Sequence, residues 1–146
     1  CNIEESRMTI LGGDFAILML VSGSADMLQN LVNDRSILEE RLGLSIQIRH
    51  TSGGIHTEGF LPYQLESSSL DTPGIVHGVS AILRKHGINI TDLETNTESA
   101  PLTGAPLFTM KARILIPSTL SIATLRKELE ELELQYNLDI RLSPMV

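Results

Sequence analysis

The sequence predicts an α+β protein made of two tandem βαββαβ units, with antiparallel sheets carrying their helices on one face. Three observations predict this. From residue 61 to residue 142 the apolar pattern switches between strand and helix periods in the order strand, helix, strand, strand, helix, strand. The first part of the chain repeats the last four of those six elements. The run Leu70-Asp71-Thr72-Pro73-Gly74-Ile75-Val76 ends a strand and opens a helix with residues suited to presenting free backbone amides.

The complete copy is legible element by element. Residues 61–69 read as extended. Residues 74–86 place Ile75, Val76, Val79, Ile82 and Leu83 on one helical face, and Gly87 supplies a C-terminal cap. Residues 89–97 and 107–116 form two strands around the loop Ala100-Pro101-Leu102-Thr103-Gly104-Ala105-Pro106. Residues 121–136 form a second helix with Ile122, Leu125, Leu129, Leu132 and Tyr136 on one side. Leu138, Ile140 and Leu142 then alternate along a closing strand over 138–142.

The first copy follows the same order. Asn2-Ile3-Glu4-Glu5 matches Asn89-Ile90-Thr91-Asp92, residues 15–22 match 108–115, and residues 25–42 match the second helix. Leu44-Ser45-Ile46-Gln47-Ile48-Arg49 matches the closing strand Leu138-Asp139-Ile140-Arg141-Leu142. No counterpart of the opening strand and helix precedes Asn2, and the chain begins with Cys1. The expectation is a natural protein extended upstream by roughly 30 residues, or a strand supplied by another chain. The domains are therefore 1–52, an incomplete first copy; 53–59, a linker with three glycines; and 60–146.

Two roles fit the turn. Asp71 is a good N-cap, Pro73 suits the first helical turn, and an ordinary capped strand-to-helix turn needs no more. Gly74 also leaves no Cβ in front of the amides, so a small anion can approach the positive end of the helix dipole. The tandem order and this turn resemble the ACT domain, a small-molecule-sensing module with the ferredoxin-like fold. Leu61-Pro62-Tyr63, the turn through His77, Gly87-Ile88-Asn89-Ile90 and the hairpin loop running on to Phe108 further resemble the glycine cleavage system transcriptional repressor family. Thr72 stands where ACT domains often have Arg.

The resemblance implies a ligand between the turn of one domain and the start of the second strand of a neighbour. It assigns ligand binding to Asp71, Thr72, Pro73, Gly74, Ile75, Val76, Asn89 and Ile90, with Asn2 and Ile3 as first-copy counterparts. The amides after Asp71 suit a carboxylate, and the Asn89 side chain can bond either end of an amino acid. Asn2 and Asn89 equally well complete the tight turn after a helix. A small amino acid, glycine foremost, fits the family. So does repression by contact with a transcriptional activator protein of the glycine cleavage operon.

Charge and composition narrow the alternatives. The net charge is -7, and the basic runs Arg84-Lys85-His86 and Arg126-Lys127 read as solvated helix faces, so direct nucleic-acid binding is not expected. No apolar stretch is long enough to span a membrane, and a single Cys excludes an intrachain disulfide framework, which points to the cytoplasm. His50, His56, His77 and His86 show no metal-ligand spacing, and no nucleophile elbow occurs, so neither cofactor nor metal nor enzymatic role is expected. The acidic cluster from Glu128 to Glu133 reads as a solvated helix face. The runner-up reading is the regulatory ACT pair of a larger amino-acid-metabolism enzyme; a purely structural dimerisation module is a third.

One comparison between the copies predicts an interface. In the second copy Phe108, Met110, Ala112, Ile114 and Ile116 face the helices, while Thr109, Lys111 and Arg113 face outward. In the first copy Phe15, Ile17, Met19 and Val21 take the inner positions, and the outward ones are Ala16, Leu18 and Leu20. An apolar outer face calls for cover by another subunit, as in a homo-oligomer, or by the second domain. At about 25 cal/mol per Å² such cover contributes a few kcal/mol.

Overall fold

The computed structural model describes residues 1–54, 56–70 and 74–145, in two compact units, Cys1–Gly53 and Gly54–Val146. The first unit opens with a hairpin of β1 (Asn2–Leu11) and β2 (Asp14–Ser22), paired antiparallel. Two helices follow, α1 (Ala25–Asn33) and α2 (Arg35–Leu42). They replace the single helix expected over 25–42. Asn33 and Asp34 are poor helix formers that compete for backbone groups, yet Asp34 still donates to Asn30 O at 2.9 Å and accepts from Leu38 N at 3.0 Å. The break is thus a local loosening of one rod.

The closing strand expected over residues 44–49 does not form. Its counterpart in the second unit gains its ladder from that unit's opening strand, and among the described residues the first unit has no equivalent partner strand. Extended backbone without a ladder partner is not a strand.

The second unit is complete. It contains β3 (Phe60–Leu70), α3 (Ile75–Lys85), β4 (Asn89–Ser99), β5 (Pro106–Pro117), α4 (Ile122–Tyr136) and β6 (Asp139–Pro144). The sheet order is β4-β5-β3-β6 and every pair is antiparallel. One face of the sheet presents Leu65, Met110, Ala112, Ile114, Ile116 and Leu142 to Val79 and Leu83 of α3 and to Leu125, Leu129 and Leu132 of α4, forming one buried cluster. Burying each large aliphatic side chain here contributes about 1.5–3 kcal/mol before chain entropy is counted. The opposite face carries Thr109, Lys111 and Arg113, as the alternation predicts, and none of them is buried.

Helix ends have local causes. Ser121 Oγ accepts from Thr124 N at 3.4 Å to cap α4. α3 ends in a Schellman arrangement: Ile88 N donates to Leu83 O at 2.9 Å and Gly87 N to Arg84 O at 3.1 Å, with Gly87 at φ 66°. At its start the N-cap position falls on Gly74, so α3 begins one residue later than the sequence pattern suggests.

The repeat survives in fine detail. β1 shifts register between Ile3 and Glu5, and β4 shifts between the matched Ile90 and Asp92. Ser24 caps α1 through Met27 N as Ser121 caps α4. Glu39 Oε1 accepts from Ile46 N at 2.7 Å, and Glu133 Oε1 accepts from Ile140 N at 2.5 Å. Each bracket spans seven residues and crosses a left-handed residue, Gly43 or Asn137. A helix glutamate thus reaches over the turn to hold the next segment in both units.

Packing differs where the elements differ. Met110, Ala112 and Ile114 are no more than 3% exposed, whereas the matched Ile17 and Met19 are 40% and 45% exposed. Among the described residues β2 pairs only with β1, and the inner positions of the first unit stay partly exposed. At the outer positions Ala16 is exposed, Leu18 is 79% exposed and Leu20 is 42% exposed.

Candidate ligand site at the start of helix α3

The strand β3 ends at Leu70 and α3 starts at Ile75. Asp71, Thr72 and Pro73, expected to line the site and in Asp71's case to cap the helix, lie outside the described residues. Gly74 occupies the N-cap position with φ 94°, and no side chain caps from that position. The first intrahelical bond runs from Gly78 N to Gly74 O at 2.8 Å. The amides of Ile75, Val76 and His77 precede it and have no intrahelical acceptor. They stand at the positive end of the helix dipole, the natural place for a carboxylate. Ile75 is buried and Val76 half-buried.

Several groups that sequence reasoning did not assign to the site surround it. Tyr136 Oη lies 3.6 Å from where a Cβ on Gly74 would stand, which places a phenol beside the turn. A Cβ on Gly78 would meet Leu132 Cδ1 at 3.0 Å, so α3 approaches α4 closely here. Ser67 and Ser69 are buried on the helix-facing side of β3, and neither Oγ has a hydrogen-bond partner. Buried hydroxyls without partners cost free energy, and these two lie in the last turns of the strand that leads into the site. Read from sequence, they were only strand residues. Pairing of Leu70 with Leu107 puts the hairpin loop at this same sheet end. That loop is held by Ala100 N to Ala105 O at 2.7 Å and Gly104 N to Ala100 O at 2.9 Å.

Asn89 and Ile90 sit elsewhere. Asn89 is level with Leu115 and Pro62, at the start of β3, whereas the turn follows Leu70 at its end. The eight residue steps from Pro62 to Leu70 span about 27 Å of strand. One unit therefore does not bring Asn89 and the α3 turn onto one small ligand. Asn2 and Ile3 occupy the matching place in the first unit, opposite Ser22 and Val21, and both are exposed.

The basic run at the end of α3 departs from the expected solvated face. Lys85 Nζ donates to Glu128 Oε1 at 2.9 Å, and His86 Nε2 lies 2.8 Å from Glu128 Oε2. Hydrogen bonds from Lys85 and then His86 hold the Glu128 carboxyl below its ordinary pKa. Arg126 is also engaged, donating to Leu142 O at 3.0 Å. Glu128 and Glu133 are thus tethers of α4, not members of a free acidic face. Spacing within one helix carried no signal for these pairs, because their partners are distant in sequence.

Among the described residues no cluster of three His, Cys, Asp or Glu side chains forms a metal site. No helix among them is long and apolar enough to cross a membrane.

No family model matches the chain. Over 100 residues it is 27% identical to the glycine cleavage system transcriptional repressors of Escherichia coli K12 and Shigella flexneri. That match takes in 68% of this chain and 53% of each repressor, so the chain spans about half the length of those curated relatives. The fold agrees: a crystal structure described as a glycine cleavage system transcriptional repressor superposes with a TM-score of 0.74 at 19% identity, over 99% of this chain and 81% of that one. The chain resembles the glycine cleavage system transcriptional repressors. A protein of unknown function from Galdieria sulphuraria shares the arrangement at 36% identity and a TM-score of 0.78, over 99% of this chain and 82% of its own. Within this repressor-like frame the second unit has every element of a ferredoxin-like βαββαβ domain, in the order the sequence indicates.

Proposed function

We propose that this chain is an amino-acid-sensing regulatory protein that represses a glycine cleavage system through contact with a transcriptional activator in the cytoplasm. Residues 1–52 and 60–146 act as paired ACT domains joined by 53–59. The observation that carries the reading is the open start of α3, where the amides of Ile75 to His77 have no intrahelical acceptor and Gly74 has no side chain to block them. A carboxylate accepts from those amides, and the family resemblance assigns Asp71, Thr72 and Pro73 to the same site. The ammonium group of the same ligand reaches Asn89 only from a neighbouring unit, since the two lie at opposite ends of one sheet. Binding is thereby linked to association, as a sensor requires. A net charge of -7 without a basic stripe favours a protein target over duplex DNA. The exposed column Ala16, Leu18 and Leu20 is the surface that another subunit or domain covers.

Isothermal titration against glycine and a panel of amino acids tests this, with Asp71→Ala and Asn89→Ala in parallel. Saturable binding that both substitutions weaken supports a site shared between units. A folded protein that binds no amino acid sinks the sensor reading and leaves the turn as capping alone.

A further inference from the structure

The outer face of the second unit's sheet carries a charge pattern that sequence order conceals. Strand register aligns Glu94 of β4 with Lys111 of β5, Lys111 with Glu66 of β3, and Glu66 with Arg141 of β6. Across the sheet order β4-β5-β3-β6 the row therefore reads minus, plus, minus, plus. Of the two neighbouring rows, Asn96, Thr109, Ser68 and Asp139 carries one carboxylate, and Asp92, Arg113, Gln64 and Ser143 carries one carboxylate and one guanidinium on adjacent strands. Only the middle of the charged row closes on itself, where Lys111 Nζ and Glu66 Oε1 stand 3.9 Å apart. Glu94 and Arg141 are exposed and form no ion pair among the described residues. They lie three strand spacings apart, about 14 Å, too far to meet within one sheet.

A row of this order is complementary to itself. We propose that this face is a docking surface for a second copy of the chain, related by a two-fold axis parallel to the strands. That rotation reverses the strand order over the row. Glu94 then faces Arg141 of the second copy at both ends, and Lys111 faces Glu66 of the second copy in the middle. A two-fold axis along the row instead sets each charge against its own kind, so the pattern selects one arrangement and opposes the other. Four strands about 4.8 Å apart, in contact over about six residues, give roughly 400 Å² per copy. That total of about 800 Å² lies below a standard stable interface. The dimer is accordingly weak, concentration-dependent and sensitive to salt. This inference stands apart from the ligand site at α3.

Charge reversal in the full chain tests it, with sedimentation equilibrium at low and at molar salt. Dimerisation of the unaltered chain at low salt, weakened at molar salt, is expected. Glu94→Arg alone and Arg141→Glu alone each set like charges together and should weaken dimerisation by about tenfold or more. The double variant restores the complement and should return to within about threefold of the starting protein. An equimolar mixture of the two single variants should form a heterodimer, because all their facing end charges are then opposite. Thermal melts confirm that each exposed substitution leaves the fold intact. A monomer at every concentration, single variants that dimerise unchanged, or a double variant as weak as the singles would each overturn the proposal.

Discussion

The substitution Gly74→Ala separates the backbone demand of the α3 turn from its ligand role. Gly74 has φ 94°, in the left-handed region where an L side chain is strained by about 1–2 kcal/mol. Space is not the obstacle, since the added Cβ would stand 3.6 Å from Tyr136 Oη and 3.9 Å from Tyr136 Cε1, ordinary contact distances. Lost freedom of the unfolded chain offsets roughly 0.4–1 kcal/mol of the strain. The net destabilisation is about 1 kcal/mol, or ~4–8 °C in melting temperature for a domain of this size. Gly87→Ala is the matched control: φ is 66° and nothing lies within 4 Å of its Cβ, so its stability loss should be similar. Melting and amino-acid titration of both variants check the reasoning. Only Gly74→Ala should also weaken amino-acid binding, because its methyl stands beside the amides. A Gly74→Ala variant as stable as the starting protein, or one losing more than about 3 kcal/mol, would refute the argument that backbone strain alone sets the cost.

Other expectations rest on separate contacts. Glu133→Ala removes a charged acceptor from the half-buried Ile140 N and should cost about 1–2 kcal/mol by urea unfolding; Glu39→Ala removes the matching bracket in the first unit, where no strand follows, and should cost less. Glu128 has a lowered folded pKa, so its contribution is full above the unfolded value and lost as pH falls through the folded one. Melting temperatures of the starting protein and Glu128→Gln should therefore differ near neutral pH and converge as pH falls below the ordinary carboxylate range; a gap independent of pH would count against the tether. Leu18→Lys places a charge on a side chain that is 79% exposed, so it should leave the thermal melt of the isolated subunit within about 0.5 kcal/mol while weakening self-association in ultracentrifugation. Unchanged association would remove Ala16, Leu18 and Leu20 from the interface.

Much of the architecture was legible because its signals are local. The helix faces of α3 and α4, the Gly87 stop and the inner alternation of β5 each depend on spacing within one element. Internal repetition carried further still. Matching Asn2-Ile3 to Asn89-Ile90 aligned the two runs in which the structure shows a register shift, although nothing in either run announces a bulge. Where a partner had to come from another part of the chain, sequence reasoning failed. Residues 44–49 alternate as well as 138–142 do, yet a strand exists only when a second strand lies alongside it. The candidate site divides along the same line. Gly74 was singled out by capping chemistry, and Ile75 and Val76 by the family resemblance, whereas the nearness of Tyr136 and the unpartnered hydroxyls of Ser67 and Ser69 carried no sequence signal.

What the sequence by itself determined is the kind and order of the elements of the second unit, the duplication, and the polarity of each face there, since propensity, capping and periodicity act over a few residues. Tertiary structure alone decided which charges meet. Lys85 and His86 find Glu128 across 43 and 42 residues of chain, and Glu94, Lys111, Glu66 and Arg141 form a row only because four strands hydrogen-bond in one register. Coulomb attraction depends on distance through space, and it is the backbone ladder that sets that distance.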